Sequence, residues 1–225
     1  AELLELDLKN SLDSETKKKI YEALLVYKVI FFRNQNLTTE EHLKFGRHFG
    51  ELEVHPFAPY KEGFPEVLNI THNEKNKGKE NVWHSDVTWR EKPSLGSILR
   101  MIEGPQIGGD TLFSDMQTAY DKLPEDIKNK LEGAIAVHDF AGFRKLLIKK
   151  GKTTEEVEAF NKKYPNPEHP VIRTHPDTKK KAIYVNKAFT QYIKGWEENE
   201  SKSMLDFLYS QAAIPEYQCR FIWEK

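Results

Sequence analysis

The sequence predicts an α+β chain that is mainly β with helical decoration, its many short strands closing into a jelly-roll, cupin-like barrel. Three observations lead there. Short apolar or β-branched segments recur between turn residues, only a few segments carry a helical period, and no internal repeat or low-complexity stretch interrupts the pattern.

With 225 residues, 38% hydrophobic and 12% aromatic, the chain suits a single domain over 1–225 with a sizeable core. The 34 basic and 35 acidic side chains nearly cancel, which argues against a nucleic-acid partner, since such proteins carry a basic excess or stripe. The runs Lys17-Lys18-Lys19, Lys149-Lys150 and Lys179-Lys180-Lys181 read as solvated surface. Cys219 is the single cysteine, so neither an intrachain disulfide nor a cysteine metal cluster can form, and a cytoplasmic setting is the default expectation. No apolar run approaches the roughly 20 residues that span a bilayer, and residues 1–10 lack the apolar centre of a signal peptide, so no membrane partner is expected.

In chain order, Asp13 is a plausible N-cap for a helix carrying Ile20, Ala23, Leu24 and Tyr27 at i, i+3, i+4 and i+7. Val29 to Phe32 reads as a buried strand. Thr38 and Glu41 form a capping-box pair opening a second helix with Phe45 and Phe49 on one face and a stop at Gly50. Val67 to Ile70 is a strand candidate, and residues 73–80 form a polar loop ahead of an aromatic, strand-like segment, Val82 to Trp89. Ser97 to Ile102 reads as a strand, Gly108-Gly109 as a turn, Thr111 to Phe113 as the next strand, and Met116 to Glu132 as two short helices divided at Pro124. Residues 140–170 suit a helical lid or excursion that ends in a proline-rich stretch. Val171 to Arg173, Ala182 to Val185 and Tyr217 to Trp223 look like returning strands, the last alternating with the period of two of a half-buried strand.

A His and an Asp two residues apart on an extended strand point to one face, so the imidazole and carboxylate of His84-Ser85-Asp86 can converge on one ion. With a distant second His, such a pair makes the two-His-one-carboxylate triad that leaves open positions on non-haem iron. The tripeptide alone is weakly specific, and on local physics a metal pair and a structurally satisfied histidine stand as alternatives. His175-Pro176-Asp177 has the same pattern, but Pro176 and the polar Thr178-Lys179-Lys180-Lys181 place it at a hairpin end. Trp83, Val87 and Trp89 frame the first pair and can wall off a dry pocket.

Seven blocks appear in the order found in one family. They are Phe31-Phe32-Arg33-Asn34-Gln35; Phe49-Gly50-Glu51-Leu52 with His55-Pro56; Trp83 to Trp89; Gly108 to Phe113; His138-Asp139-Phe140; His169 to Pro176; and Tyr184 to Thr190. Across nearly its whole length the chain resembles the taurine dioxygenase family of iron(II)- and 2-oxoglutarate-dependent dioxygenases. The resemblance implies a double-stranded β-helix, Fe(II) with 2-oxoglutarate as cosubstrate and dioxygen, and His84 and Asp86 as iron ligands and catalytic residues. It implies that the Thr111 hydroxyl binds the remote carboxylate of 2-oxoglutarate. It implies that His55 binds the substrate's anionic head group, and that Phe140 and Phe189 line the substrate pocket. The family's substrate-binding Asn corresponds to Asn81 or is replaced by Glu80, depending on a one-residue gap in the preceding loop. Ala58 stands where taurine enzymes usually carry a Tyr, which enlarges that part of the pocket.

The distal His and the two Arg residues of the family lie beyond Lys225 in the resemblance, so the domain is expected to be C-terminally incomplete. His42, His48, His72, His138, His169 and His175 each have a local explanation and none is expected to replace the third ligand. The implied reaction oxidatively decarboxylates 2-oxoglutarate to succinate and carbon dioxide while hydroxylating a small anionic substrate. For taurine or a related sulfonate, the product collapses to an aldehyde and sulfite. Two alternatives remain at this point: a dioxygenase of another small acid (alkyl sulfate, aryloxy acid or amino-acid derivative), and a catalytically silent cupin-like binding protein should the chain end at Lys225. Exposed strand edges and aromatic content make a homo-oligomer reasonable.

Overall fold

The computed structural model describes residues 1–56, 58–74, 81–149 and 151–224. These fall into two compact units, one made of residues 1–81, 95–111 and 221–225, the other of 82–94 and 112–220.

In the first unit, helix α1 (Ser14–Tyr27) starts where expected: the Asp13 carboxylate accepts the Thr16 amide at 2.7 Å. Such a cap is worth about 1 kcal/mol. Helix α2 (Thr39–Gly46) opens with the expected capping box, Thr38 N–H donating to Glu41 Oε2 at 2.6 Å and Glu41 N–H donating to Thr38 Oγ1 at 3.2 Å. It ends four residues before Gly50, yet Phe49 still packs edge-on against Phe45. Leu8, Ile20, Leu37 and Phe45 form the small core. Val29 to Phe32 is not the strand expected; Phe31 makes one parallel bridge to Glu2, and Asn34 at φ 56° bends the chain immediately after. Strands β1 (Tyr60–Lys61) and β2 (Phe64–Leu68) form an antiparallel pair. Ser97 to Ile102, also expected as a strand, has no regular structure, and its Ile98, Leu99 and Ile102 side chains are exposed.

Strand β3 (Thr111–Ser114) follows Gly108 and Gly109, both in the left-handed region at φ 81° and 77°. Only glycine adopts that conformation without strain. Helices α3 (Met116–Asp121) and α4 (Glu125–Lys130) flank Pro124 as expected. Strand β4 (Ile135–His138) is the centre of the main sheet and is buried over Ala136, Val137 and His138. Helices α5 (Ala141–Lys149) and α6 (Thr154–Lys163) pack together. The proline-rich end of the supposed excursion is strand β5 (Glu168–Pro170), with His169 buried, because residue 169 faces the interior between two exposed neighbours. Strands β6 (Ile172–Thr174) and β7 (Lys181–Ile183) make a hairpin, and β8 (Thr190–Ile193) completes the sheet order β5-β4-β8, all antiparallel.

Helix α7 (Glu198–Gln211) has no counterpart among the expected elements although Met204, Leu205 and Leu208 recur on one face and are buried. They join Leu131, Val171, Ile183 and Ile193 in the larger core. A 3-10 turn (Pro215–Tyr217) leads to β9 (Gln218–Phe221), which pairs with β3. Its side chains do not alternate as expected, since Cys219 and Arg220 are both exposed. The described strands thus form small separate sheets of two or three members, with no closed barrel among the described residues. None of the described helices is long and apolar enough to cross a membrane.

Candidate metal centre

His84 and Asp86 are not on a strand. Residues 83–85 have no regular structure and Asp86 begins a turn through Trp89, closed by Arg90 N–H donating to Val87 O at 3.0 Å. Val87 lies at φ 49°, an unusual conformation for a β-branched residue, which reverses the chain immediately after Asp86. Convergence nevertheless occurs: His84 Nε2 stands 3.3 Å from Asp86 Oδ1. The other ring nitrogen, Nδ1, lies 2.9 Å from Val82 O. A carbonyl only accepts, so Nδ1 carries a proton, and Nε2 is the ring nitrogen that faces the carboxylate and that a metal would take. A backbone carbonyl holding one imidazole nitrogen while the other faces a metal is the usual outer support of a histidine ligand.

Both side chains are partly open to solvent, so the dry wall expected of Trp83, Val87 and Trp89 is only partly built. Trp89 is buried at 3% exposure and stacks on Phe140 with centroids 4.8 Å apart; Trp83 and Val87 are half-buried. Phe140 in turn packs at 5.7 Å against Phe189, so the two aromatic residues expected to line a pocket share one cluster with Trp89. Imidazole nitrogen with carboxylate oxygen suits iron and its first-row neighbours. Among the described residues no third His, Cys, Asp or Glu joins this pair.

The remaining predicted residues belong to the first unit. Trp223 Nε1 donates to Thr111 Oγ1 at 2.9 Å, which occupies an acceptor position of the hydroxyl and turns its O–H away from the indole as a donor. Trp223 is seated edge-on against Phe221, which stacks on Phe31 at 3.8 Å beneath the Arg33 guanidinium. The Phe31-Phe32-Arg33 block therefore supports the hydroxyl through two aromatic rings. His55 Nδ1 accepts the Ala58 amide at 3.0 Å, so its proton resides on Nε2, the form that donates to an anion. Asn81 is exposed, while Glu80 and the rest of the loop 75–80 lie outside the described residues.

Beneath the turn lies a buried polar network whose members were not among the expected site residues. Thr88 is fully buried, and its Oγ1 accepts Asn186 Nδ2 at 3.0 Å and meets His138 Nδ1 at 3.0 Å. His138 Nε2 is 3.4 Å from Thr190 Oγ1. His169 Nε2 lies 2.9 Å from both Thr88 O and Arg90 O, so its N–H is shared between two carbonyls. Burial, reinforced by the neighbouring His169, pushes the His138 imidazole down to about 4 and keeps it neutral; burial likewise lowers His169. Their sequence signal was visible: His138 ends the apolar run Ile135-Ala136-Val137, and Asn186 follows Ile183-Tyr184-Val185. A polar residue ending such a run needs a buried partner.

The family described as taurine catabolism dioxygenase TauD, TfdA matches residues 1–225. The chain belongs to this family. It is accordingly a 2-oxoglutarate-dependent non-haem iron dioxygenase with the family's jelly-roll type of fold, using Fe(II), 2-oxoglutarate and dioxygen. The alkylsulfatase of Acinetobacter baylyi is 34% identical over all of this chain and 71% of its own length. An alpha-ketoglutarate-dependent sulfonate dioxygenase of Saccharomyces cerevisiae is 32% identical over 90% of this chain and 51% of its own. The crystal structure of a taurine dioxygenase from Burkholderia xenovorans superposes with a TM-score of 0.81 at 34% identity, covering 99% of this chain and 72% of that one.

Proposed function

We propose that this dioxygenase hydroxylates a small organic sulfonate or alkyl sulfate ester at the carbon bearing the sulfur group, with His84 and Asp86 holding its iron. The 3.3 Å approach of His84 Nε2 to the Asp86 carboxylate, with Nδ1 occupied by Val82 O, carries the metal part of this reading. Iron with 2-oxoglutarate and dioxygen supplies an oxidant that turns a C–H bond into C–OH while 2-oxoglutarate becomes succinate and carbon dioxide. The protein's own share is binding and orientation. Thr111 donates its hydroxyl hydrogen to the remote carboxylate of 2-oxoglutarate, and His55 donates Nε2–H to the substrate's sulfur oxyanion. Phe140 and Phe189 pack on the alkyl part and exclude water from it. Asn81 is a further polar contact to the substrate.

The product needs no separate cleavage step. A hydroxyl on the carbon bearing a sulfonate collapses to an aldehyde and sulfite; on the carbon bearing a sulfate ester it collapses to an aldehyde and hydrogen sulfate. Ala58 removes bulk beside His55, which favours an alkyl chain longer than that of taurine. The names of the yeast and Acinetobacter relatives support both leaving groups. The lone exposed Cys219 fits a reducing, cytoplasmic setting.

The test is succinate, sulfite and sulfate release from the full-length protein with Fe(II), ascorbate and 2-oxoglutarate against taurine, longer alkyl sulfonates and alkyl sulfates. Succinate stimulated by the longer sulfur acids is expected. Succinate that rises with none of them, or rises only with an aryloxy or amino acid derivative, overturns the substrate reading.

A further inference from the structure

The turn that follows Asp86 is gripped from two sides. Thr88 holds it through its side chain, which accepts the Asn186 amide and meets His138 Nδ1, each at 3.0 Å. The main chain is held as well, since His169 Nε2–H is shared by the carbonyls of Thr88 and Arg90 at 2.9 Å each. Two holders come from neighbouring strands of one sheet in the second unit, His169 from β5 and His138 from β4; the third, Asn186, lies just ahead of β8, whose Thr190 Oγ1 stands 3.4 Å from His138 Nε2. All are buried, with His138 and Thr88 at 0% exposure.

Between this anchored Thr88 and the candidate ligand Asp86 stands one residue, Val87, at φ 49°. A β-branched residue there costs roughly 1–3 kcal/mol and persists only when its surroundings over-determine it. Relaxing Val87 to an ordinary backbone would swing Asp86 relative to Thr88 and open the 3.3 Å approach to His84. The same network reaches the aromatic cluster: Asn186 Oδ1 accepts the amides of Ala188 and Phe189 at 3.1 Å each.

We propose that Thr88, tied by His138, Asn186 and His169, is a positioning residue that holds the left-handed bend at Val87 and so presets His84 and Asp86 as a metal-binding pair, in register with Phe189. This rests on the reading that His84 and Asp86 bind the iron. Thr88→Val keeps the shape and removes the hydroxyl; Thr88→Ser keeps the hydroxyl and removes the methyl.

The measurement is Mn(II) affinity of the full-length protein by calorimetric titration, with circular dichroism and thermal melting on the same samples. Outer-shell support of a ligand is worth about 10–100-fold in metal affinity. Folded Thr88→Val is expected to bind Mn(II) about 10-fold or more weakly, with Thr88→Ser restoring most of the loss. A folded Thr88→Val that binds Mn(II) as tightly as the parent overturns the proposal, as does a Thr88→Ser no better than Thr88→Val. If Thr88→Val does not fold, His169→Gln against His169→Phe asks the same question at the other anchor. Gln can restore the donor to the two carbonyls and Phe cannot, so equal Mn(II) affinity in that pair also overturns it. His84→Ala binding Mn(II) like the parent would instead sink the ligand reading, and this proposal with it.

Discussion

In His84-Ser85-Asp86 the imidazole Nδ1 donates to the Val82 carbonyl and Nε2 faces the carboxylate at 3.3 Å. In His175-Pro176-Asp177 the roles reverse: Nδ1 accepts the amides of Asp177 and Thr178 at 3.1 and 3.3 Å, and the Asp177 carboxylate stands 4.0 Å from that same nitrogen. The second histidine spends its ligating atom on capping the β6–β7 turn, which His175 and Lys180 also close through their backbones. Pro176 forces this outcome, since it fixes φ and leaves the following amides to fold back on the ring. One tripeptide pattern thus yields a candidate ligand pair or a turn cap, according to whether the imidazole Nδ1 donates to a carbonyl ahead of the pair or accepts the amides that follow it.

The largest expected effect separates the two directly. His84→Ala or Asp86→Ala should lower substrate-dependent succinate formation by about 100-fold or more, because a first ligand matters at least as much as its supports. His175→Ala and Asp177→Ala should stay within about twofold of the parent, since they alter an exposed turn. Comparable losses at both sites would erase the distinction.

A second difference lies underneath. The first tripeptide rests on the buried His138 network, whereas the second sits on an exposed hairpin tip. With His138 held near 4 in the fold against an ordinary value of 6.5, the unfolded chain binds the extra proton first. Stability from this group is therefore complete above pH ~6.5 and falls as pH drops towards ~4. Between pH ~7.5 and ~5 the loss is on the order of 2 kcal/mol. His169 shifts in the same direction, through burial first, and adds to the slope. In the first unit His42 does likewise, through burial and then Arg100. Urea denaturation across that range checks this, and His138→Gln should flatten the pH dependence. An unchanged slope in that variant would assign the acid sensitivity elsewhere.

The Thr111 hydroxyl gives a smaller effect, because its partner only orients it. Trp223→Phe keeps the ring against Phe221 but removes the donor to Thr111 Oγ1. Losing one neutral hydrogen bond costs about 1 kcal/mol, so the KM for 2-oxoglutarate should rise about fivefold while kcat changes little. A kcat loss without a KM change would contradict the role given to Thr111.

How far the sequence could be read depended on how local the deciding interactions are. The Asp13 cap, the Thr38–Glu41 box and the break at Pro124 are settled within a few residues, and each element begins where its residues say. Ser97 to Ile102 has the composition of a strand, but a strand exists only beside another strand, and none of the described strands lies next to it in a sheet. The pairing of His84 with Asp86 was legible from spacing, although the expected strand is a turn. The Thr88 network was not, because it joins positions 50 to 98 residues apart through side chains whose burial only the fold reveals.

The smallest effect concerns the bends themselves, since each tripeptide is followed by a non-glycine residue at positive φ, Val87 at 49° and Lys179 at 59°. Lys179 closes the hairpin with its amide donating to His175 O at 3.0 Å, a bond glycine keeps. Lys179→Gly relieves the left-handed strain while adding freedom to the unfolded chain, so the terms nearly offset and a net gain of about 0.5 kcal/mol is expected, seen as a slight rise in melting temperature with turnover unchanged. At Val87 the same change releases more strain but also frees the bend that separates Asp86 from Thr88. Val87→Gly should therefore melt no lower than the parent yet bind Mn(II) more weakly. If both glycines raise stability and neither touches metal affinity, the bend at Val87 is as incidental to the chemistry as the one at Lys179.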